Sequence, residues 1–222
     1  MREKTCLIVG NGPSLNDVPD DLLVAWQGDS WGCNWIALHD WFRPSFYVNC
    51  DKHNLETEYG RFLAAKACKG ALRGRFINSE FADKLLAEYP DLPYITPIHR
   101  YASVYGKTKF LDTPQKTGFS TAAKTVLFVC MQFAYAAGYK TFLLVGIDHT
   151  YGIKQKHFYP DEKAPKYLGK TSDEDKAWRA KCDFGYGLAR QFLEERGGRI
   201  INLTRAETTT HVFEKGRYKD WI

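Results

Sequence analysis

Asparagine and aspartate recur where the apolar runs of this chain end. Asn11 follows the run Thr5-Cys6-Leu7-Ile8-Val9, Asn34 closes a short run from Ser30, and Asn49 and Asp51 close the run from Ser45. Amides both donate and accept, so such side chains suit a ribose, a base edge or a sugar hydroxyl. One Asn alone reads first as a turn residue that tolerates the left-handed backbone region. Three at matching places favour a shared binding edge.

The turn Gly10-Asn11-Gly12-Pro13-Ser14 adds its own chemistry. Glycines let a backbone approach a phosphate, and Ser14 is placed to cap a following helix. The turn is not GxGxxG and lacks the Lys-Ser/Thr pair of a P-loop, which disfavours a dinucleotide site or a Walker NTPase. Ser120 and Thr121 are expected to open a long apolar helix, either as simple caps or as an anion site at its N-terminus. Gly146-Ile147-Asp148-His149-Thr150-Tyr151 follows the strongest apolar run. An Asp-His pair can orient a sugar, transfer a proton or bind a metal, although one Asp and one His fall short of a metal site. His157 stands in a polar, aromatic stretch, where a purely structural imidazole is less expected. Asp51 either caps the next helix or acts on substrate.

These residues need a frame. The chain has 222 residues, 44% hydrophobic and 26% charged, which predicts one globular α/β domain over 1–222 and excludes a disordered or low-complexity protein. Continuous apolar runs followed by Gly-rich turns predict parallel strands buried on both faces, at Thr5–Val9, near Ser30–Asn34, at Ser45–Cys50, Arg75–Asn78, Thr141–Val145 and Arg199–Asn202. Helical spacing over 54–68 places Leu55, Tyr59, Phe62, Leu63 and Ala67 on one side. Further helices are expected over 79–89, from Thr117 to a stop at Gly138, and from about Asp173 to Arg196 before Gly197-Gly198. Residues 97–117 read as a long loop and 149–172 as a lid. Strands and helices in alternation indicate a doubly wound, mostly parallel, Rossmann-like sheet, whose ligands bind at the carboxyl ends of the strands.

Lys plus Arg number 31 against 26 Asp plus Glu, a net of +5, and aromatics reach 15%. Mild basicity fits a phosphorylated ligand and leaves nucleic acid open. The six cysteines form no CxxC pair and several sit in apolar runs, so buried reduced thiols and a cytoplasmic location are expected. The N-terminus enters a strand almost at once, which argues against a signal peptide. The apolar stretch Val126 to Gly146 is broken by Gly138-Tyr139-Lys140-Thr141 and reads as a buried helix and a strand, not a membrane span.

Leu7-Ile8-Val9-Gly10-Asn11-Gly12-Pro13-Ser14-Leu15 resembles the start of the bacterial sialyltransferases of glycosyltransferase family 42 and of the 6-hydroxymethylpterin pyrophosphokinase (MptE-like) family. Gly32-Cys33-Asn34, Ser120-Thr121, and Ala137-Gly138-Tyr139-Lys140 with Leu144-Val145-Gly146-Ile147-Asp148 extend the likeness across most of residues 5–151. The ending from Ile200-Ile201-Asn202-Leu203-Thr204 through Phe213 also resembles MptE-like proteins. Proteins of this kind resemble ones found in surface-glycan gene clusters and in phage genomes.

The resemblance implies that Asn11, Ser14, Asn34, Asn49, Ser120 and Thr121 surround a nucleotide. Gly10, Gly12, Gly146 and Asp148 belong to the same set, and Tyr151 or Tyr159 would hold the leaving phosphate. It departs at the catalytic base. The sialyltransferases have a His after Tyr-Ile-Gly, whereas here Tyr167-Leu168-Gly169 is followed by Lys170, a poor base unless desolvated. The leading expectation is a glycosyltransferase using a nucleotide-sugar, with His157, Asp51 and His149 as candidate bases in that order and a glycan or a modified DNA base as acceptor. The alternatives are a Mg²⁺-dependent pyrophosphokinase acting on a pterin-like alcohol, with Asp51 and Asp148 at the metal, and a nucleotide-binding protein without turnover.

Overall fold

The computed structural model describes residues 4–100, 109–149, 157–160, 172–204 and 211–221. Its strands are β1 Thr5–Val9, β2 Asp29–Cys33, β3 Phe46–Asn49, β4 Gly74–Asn78, β5 Thr96–Ile98, β6 Thr141–Val145, β7 Arg199–Asn202 and β8 Glu214–Lys215. They form one sheet in the order β5-β4-β3-β2-β1-β6-β7-β8, and every pair is parallel. The helices are α1 Asp20–Ala25, α2 Lys52–Glu56, α3 Glu58–Gly70, α4 Ser79–Glu88, α5 Pro114–Thr117, α6 Val126–Ala136 and α7 Ser172–Glu194. The expected α/β class and parallel sheet are therefore present.

Alternation along the strands builds two cores, one on each face. Cys6 and Ile8 of β1 pack with Phe142 and Leu144 of β6 against α6 and α7, while Leu7, Val9, Leu143 and Val145 pack against α1, α3 and α4. Helix α6 is buried all round from Val126 to Ala134, so it lies as a central rod under the sheet. The edges are short. β5 has three residues including Pro97, and β8 has two, which is how an open sheet limits pairing with other chains.

Several elements depart from the pattern expected of the sequence. The 54–68 helix is broken at Thr57, whose Oγ1 accepts from Gly60 N at 3.0 Å and restarts the helix as α3. The new phase buries Leu63, Ala64, Ala67 and Cys68 and leaves Tyr59 and Phe62 at 42% and 50% exposure. The long apolar helix begins at Val126 rather than near Thr121. Ser120 is instead tied to the helix flank, where Gln132 Oε1 accepts from Ser120 N at 2.8 Å and Gln132 Nε2 donates to Ser120 O at 3.0 Å. That tertiary pairing holds 121–125 as a turn and hands the cap to Thr125. The stretch 97–117, expected as a loop, carries β5 at its start and α5 near its end. Residues 101–108 and most of the expected lid, including Tyr151 and Lys170, lie outside the described residues. Gly138 stops α6 as expected, at φ 89° with Tyr139 N bonded to Ala134 O.

The sheet changes direction between β1 and β6, since successive strands run outward from β1 on one side and from β6 on the other. In such folds the crevice opens at that switch point. Here the two carboxyl-terminal loops touch: Gly10 N donates to Val145 O and Gly12 N to Gly146 O, both at 2.9 Å. A Cβ on Gly10 would stand 2.4 Å from Ile147 Cδ1 and 2.5 Å from Gly146 O. Gly10→Ala is expected to destabilise the protein by about 1–3 kcal/mol, the usual range for overpacking. The measurement is urea unfolding, with a lower midpoint and unchanged slope.

Candidate active site

Two cavities that share Asn34, Thr125 and Val126 lie along the carboxyl edge of the sheet. The smaller, of about 100 Å³, sits at the β1/β6 switch and is lined by Gly10, Asn11, Gly12, Asn34, Gly146, Asp148, His149 and His157, among others. The larger, of about 460 Å³, lies beyond β2 and is lined by Asp51, His53, Arg100, Thr121, Lys124 and Trp178, among others. Arg100 and Phe119 reach it because Phe119 N donates to His99 O at 2.8 Å.

The glycines of the β1 turn serve first the neighbouring loop. A Cβ on Gly12 would lie 1.9 Å from Asp148 Oδ2. That carboxylate oxygen accepts from Ser14 Oγ at 2.7 Å and from Ser14 N at 3.2 Å. Ser14 thus joins the two loops instead of capping a helix, and the 3-10 turn Pro13–Asp17 has no side-chain cap. Burial pushes the Asp148 carboxyl up, and the two Ser14 bonds pull it the other way.

Asn11 and Asn34 line the smaller cavity, each with its amide oxygen buried and without a hydrogen-bond partner among the described residues. Asn11 Nδ2 donates to Cys33 O at 3.1 Å. Asn34 O accepts from Tyr47 OH at 2.7 Å, and that hydroxyl accepts from Asn49 Nδ2 at 3.0 Å. A buried acceptor left unpaired costs about 1–3 kcal/mol, so both oxygens are suited to a ligand's N–H or O–H. Asn49 is fully buried beneath the crevice, lines neither cavity, and accepts from Asp51 N at 3.2 Å. Ser120 is likewise fully buried and lines neither cavity, whereas Thr121 lines the larger one.

Among the described residues, the non-glycine positions with positive φ are Asn34 at 49°, Lys124 at 54° and His149 at 51°. Each lines a cavity. Such backbone is disfavoured for side-chain-bearing residues and concentrates at functional sites.

The three candidate bases are placed differently. His157 is buried in the smaller cavity with its ring stacked on Tyr159, centroids 4.7 Å apart. Its segment docks on the β1 turn, where Phe158 N donates to Asn11 O at 3.0 Å and Asn16 Nδ2 to Phe158 O at 2.9 Å. Asp51 lines the larger cavity but also caps α2, accepting from His53 N at 3.0 Å. His149 Nε2 lies 2.8 Å from Tyr186 OH, and burial, with the Arg179 cation next, pulls its imidazole down to about 4. Tyr186 and Trp178, both on α7, escape a reading of the sequence. The available signal was Gly185-Tyr186-Gly187 inside a helix, where glycine is costly. A Cβ on Gly185 would stand 2.3 Å from Ala123 N.

Among the described residues no group of three or more His, Cys, Asp or Glu side chains stands where it could hold a metal ion. All six cysteines are free, and burial pushes the Cys50 thiol, in the larger cavity, far above its ordinary value. No helix among the described residues is long and apolar enough to cross a membrane.

A parallel α/β sheet with helices on both faces and its crevice at the switch point is the doubly wound class of fold. No protein-family model and no curated protein sequence matches the chain. Solved structures do. The sialyltransferase CstII from Campylobacter jejuni, in complex with the substrate analogue cytidine-5'-monophosphate, is similar at TM-score 0.52 and 17% identity, over 96% of this chain and 84% of that one. A second CstII complex holds a trisaccharide acceptor and CMP. The monofunctional α-2,3-sialyltransferase Cst-I from the same organism is similar at TM-score 0.55 and 16% identity, over 97% and 81% of the two chains. The MAf glycosyltransferase from Magnetospirillum magneticum AMB-1 is similar at TM-score 0.60 and 13% identity; 99% of this chain covers 34% of that one. At these identities the likeness is one of fold.

The lowered His149 imidazole has a consequence for stability. Folded protein holds this group neutral, so the unfolded chain binds the proton more readily below the ordinary value of 6.5. Its contribution is full above pH 6.5 and is lost as pH falls toward 4. The loss by pH 4.5 is about 2–3 kcal/mol. In His149→Asn, where Asn tolerates the same backbone, urea unfolding at pH 7.5 and 4.5 should show a pH-induced drop smaller by that amount.

Proposed function

We propose that the chain is a glycosyltransferase that takes its sugar from a nucleotide-sugar. The observation that carries this reading is the pair of unpaired, buried amide oxygens of Asn11 and Asn34 at the β1/β6 crevice. The fold neighbours solved with CMP support it.

The nucleotide lies against Gly10–Gly12, Asn34 and Gly146–His149, and the acceptor fills the larger cavity and sends its reacting hydroxyl past the shared Asn34, Thr125 and Val126 into the smaller one, which His157 lines. The acceptor hydroxyl attacks the anomeric carbon as the bond from that carbon to the phosphate oxygen breaks. His157 takes the hydroxyl proton; Asp51 is already engaged as a cap, and an imidazole near 4 such as His149 is a weak base at neutral pH. The departing phosphate gains negative charge. The N-terminus of α6 at Val126 and Leu127 and the Lys124 cation, all lining the cavities, stabilise it in place. Asp51 and Asp148, the carboxylates a pyrophosphokinase would bring to one metal, line different cavities, and each accepts from a backbone N–H of this chain. That separation favours glycosyl transfer.

A thermal-shift series across CMP, CDP, UDP, GDP, dTDP and ATP tests the donor class, since a ligand that binds only the folded state raises the midpoint. A shift with none of them overturns the reading, and a shift with ATP alone that needs Mg²⁺ moves it to phosphoryl transfer. Asn11→Ala should weaken binding of the stabilising nucleotide by about 1–3 kcal/mol, read by calorimetry on the folded variant.

With donor and acceptor in hand, His157→Ala should cut turnover by about 10²–10⁴-fold while nucleotide binding survives. Retained turnover in His157→Ala, with loss in Asp51→Asn, would transfer the role of base to Asp51. A DNA acceptor would show binding that weakens steeply with salt, and a neutral glycan would not.

A further inference from the structure

The hydroxyl of Tyr186 lies at the centre of a short hydrogen-bonded line through the floor of the smaller cavity. It is 2.8 Å from His149 Nε2 and 2.9 Å from Thr125 Oγ1, and Thr125 Oγ1 accepts from Phe128 N at 3.3 Å as the cap of α6. Tyr186 is fully buried. Three elements meet at this oxygen: α7, the loop after β6 and the start of α6.

The line can run from Thr125 through Tyr186 to His149. Thr125 Oγ1 already accepts a backbone N–H, so its own proton is available to Tyr186. The Tyr186 proton then passes to Nε2 of His149, and each hydroxyl both donates and accepts. The reverse direction leaves the Thr125 proton without an acceptor in the line. In that direction Nε2 accepts and the ring proton sits on Nδ1.

Packing fixes the ring as well. His149 lies between Trp178 and Tyr186, at centroid distances of 5.6 and 5.3 Å. Its backbone is held at φ 51°. The close approach of Gly185 to Ala123 seats α7 near enough for the hydroxyl to reach Thr125. A ring held by backbone, two aromatic faces and a hydroxyl is set in one orientation.

We propose that Tyr186 is a positioning residue, whose hydroxyl donates to Nε2 of His149 and holds that ring as the Nδ1–H tautomer on the wall where the nucleotide binds. The tautomer stands on the hydrogen-bonded line alone, and its part in nucleotide binding rests on the donor reading above.

Protein labelled with ¹⁵N at histidine gives two-bond ¹H–¹⁵N spectra of the imidazoles at pH 7, with His149 assigned from His149→Asn. The wild type should show His149 protonated at Nδ1. Tyr186→Phe keeps the ring volume, removes the oxygen, and should give a mixture of tautomers or the Nε2–H form. Thr125→Val removes the other end of the line, should act in the same direction, and decides the matter if Tyr186→Phe does not fold. An Nε2–H pattern in the wild type, or an unchanged pattern in the folded variants, overturns the proposal. CMP is the probe for the second half. Tyr186→Phe should bind it about tenfold more weakly, the scale of one lost hydrogen bond, and unchanged CMP affinity beside a changed tautomer also overturns the proposal. If CMP binds neither protein, the nucleotide that raised the midpoint in the thermal-shift series takes its place as probe; if none did, the donor reading has failed and the imidazole spectra alone decide the role of Tyr186.

Discussion

Asp148 places a carboxylate in a buried position and spends it on the chain itself, accepting from the hydroxyl and the backbone N–H of Ser14. A buried charge is tolerated only when such bonds surround it. Lys215 of β8 adds its field: burial pulls its ammonium below the ordinary value, Asp148 pulls it the other way, and it donates to Thr204 O at 3.3 Å. Thr204 in turn accepts from Ile147 N through Oγ1. The loops after β1, β6 and β7 are thus clamped together, and the clamp requires the glycines at 10 and 12, because no side chain fits between the loops. The position of Asn11 against Cys33, and through it the smaller cavity, follows from that contact.

On the far side of β1 a second polar device does similar work without charge. Asn49, Tyr47 and Asn34 form a buried sequence in which an amide supports a phenol and the phenol supports a backbone carbonyl. The crevice therefore rests on two unlike supports, an ionic clamp at the switch point and a neutral amide-phenol prop beneath β2 and β3. The tyrosine on α7 extends the same logic to the opposite wall.

Much of this was legible in the residues. β1, β6 and β7 announce themselves as apolar runs, and Gly138 and Gly197-Gly198 mark where helices stop, because these features depend on local composition. Asn11, Asn34, Gly146, Asp148, His149 and His157, read from strand ends and an aperiodic stretch, line one cavity. Features set by partners distant in sequence were not legible. The start of α6 depends on Ser120 meeting Gln132, and the break at Thr57 rephases α3 so that Tyr59 and Phe62 face outward. The two- and three-residue edge strands are too short to leave a period. Asn49 and Ser120 share the residue types of a binding set, but tertiary contacts draw them into the interior. Tyr186 is hidden for the opposite reason: within a helix its type and spacing are those of any core aromatic.

Asn34, Lys124 and His149 carry side chains on backbone that glycine would occupy at less cost. A mutant library sorted for folding alone, with no substrate present, should therefore enrich glycine at these positions, whereas sorting for turnover should deplete it. The disagreement between the two selections would outline the crevice from sequence counts alone. It would also set a ceiling on stabilising the chain at those positions, since glycine there removes side chains that line the two cavities.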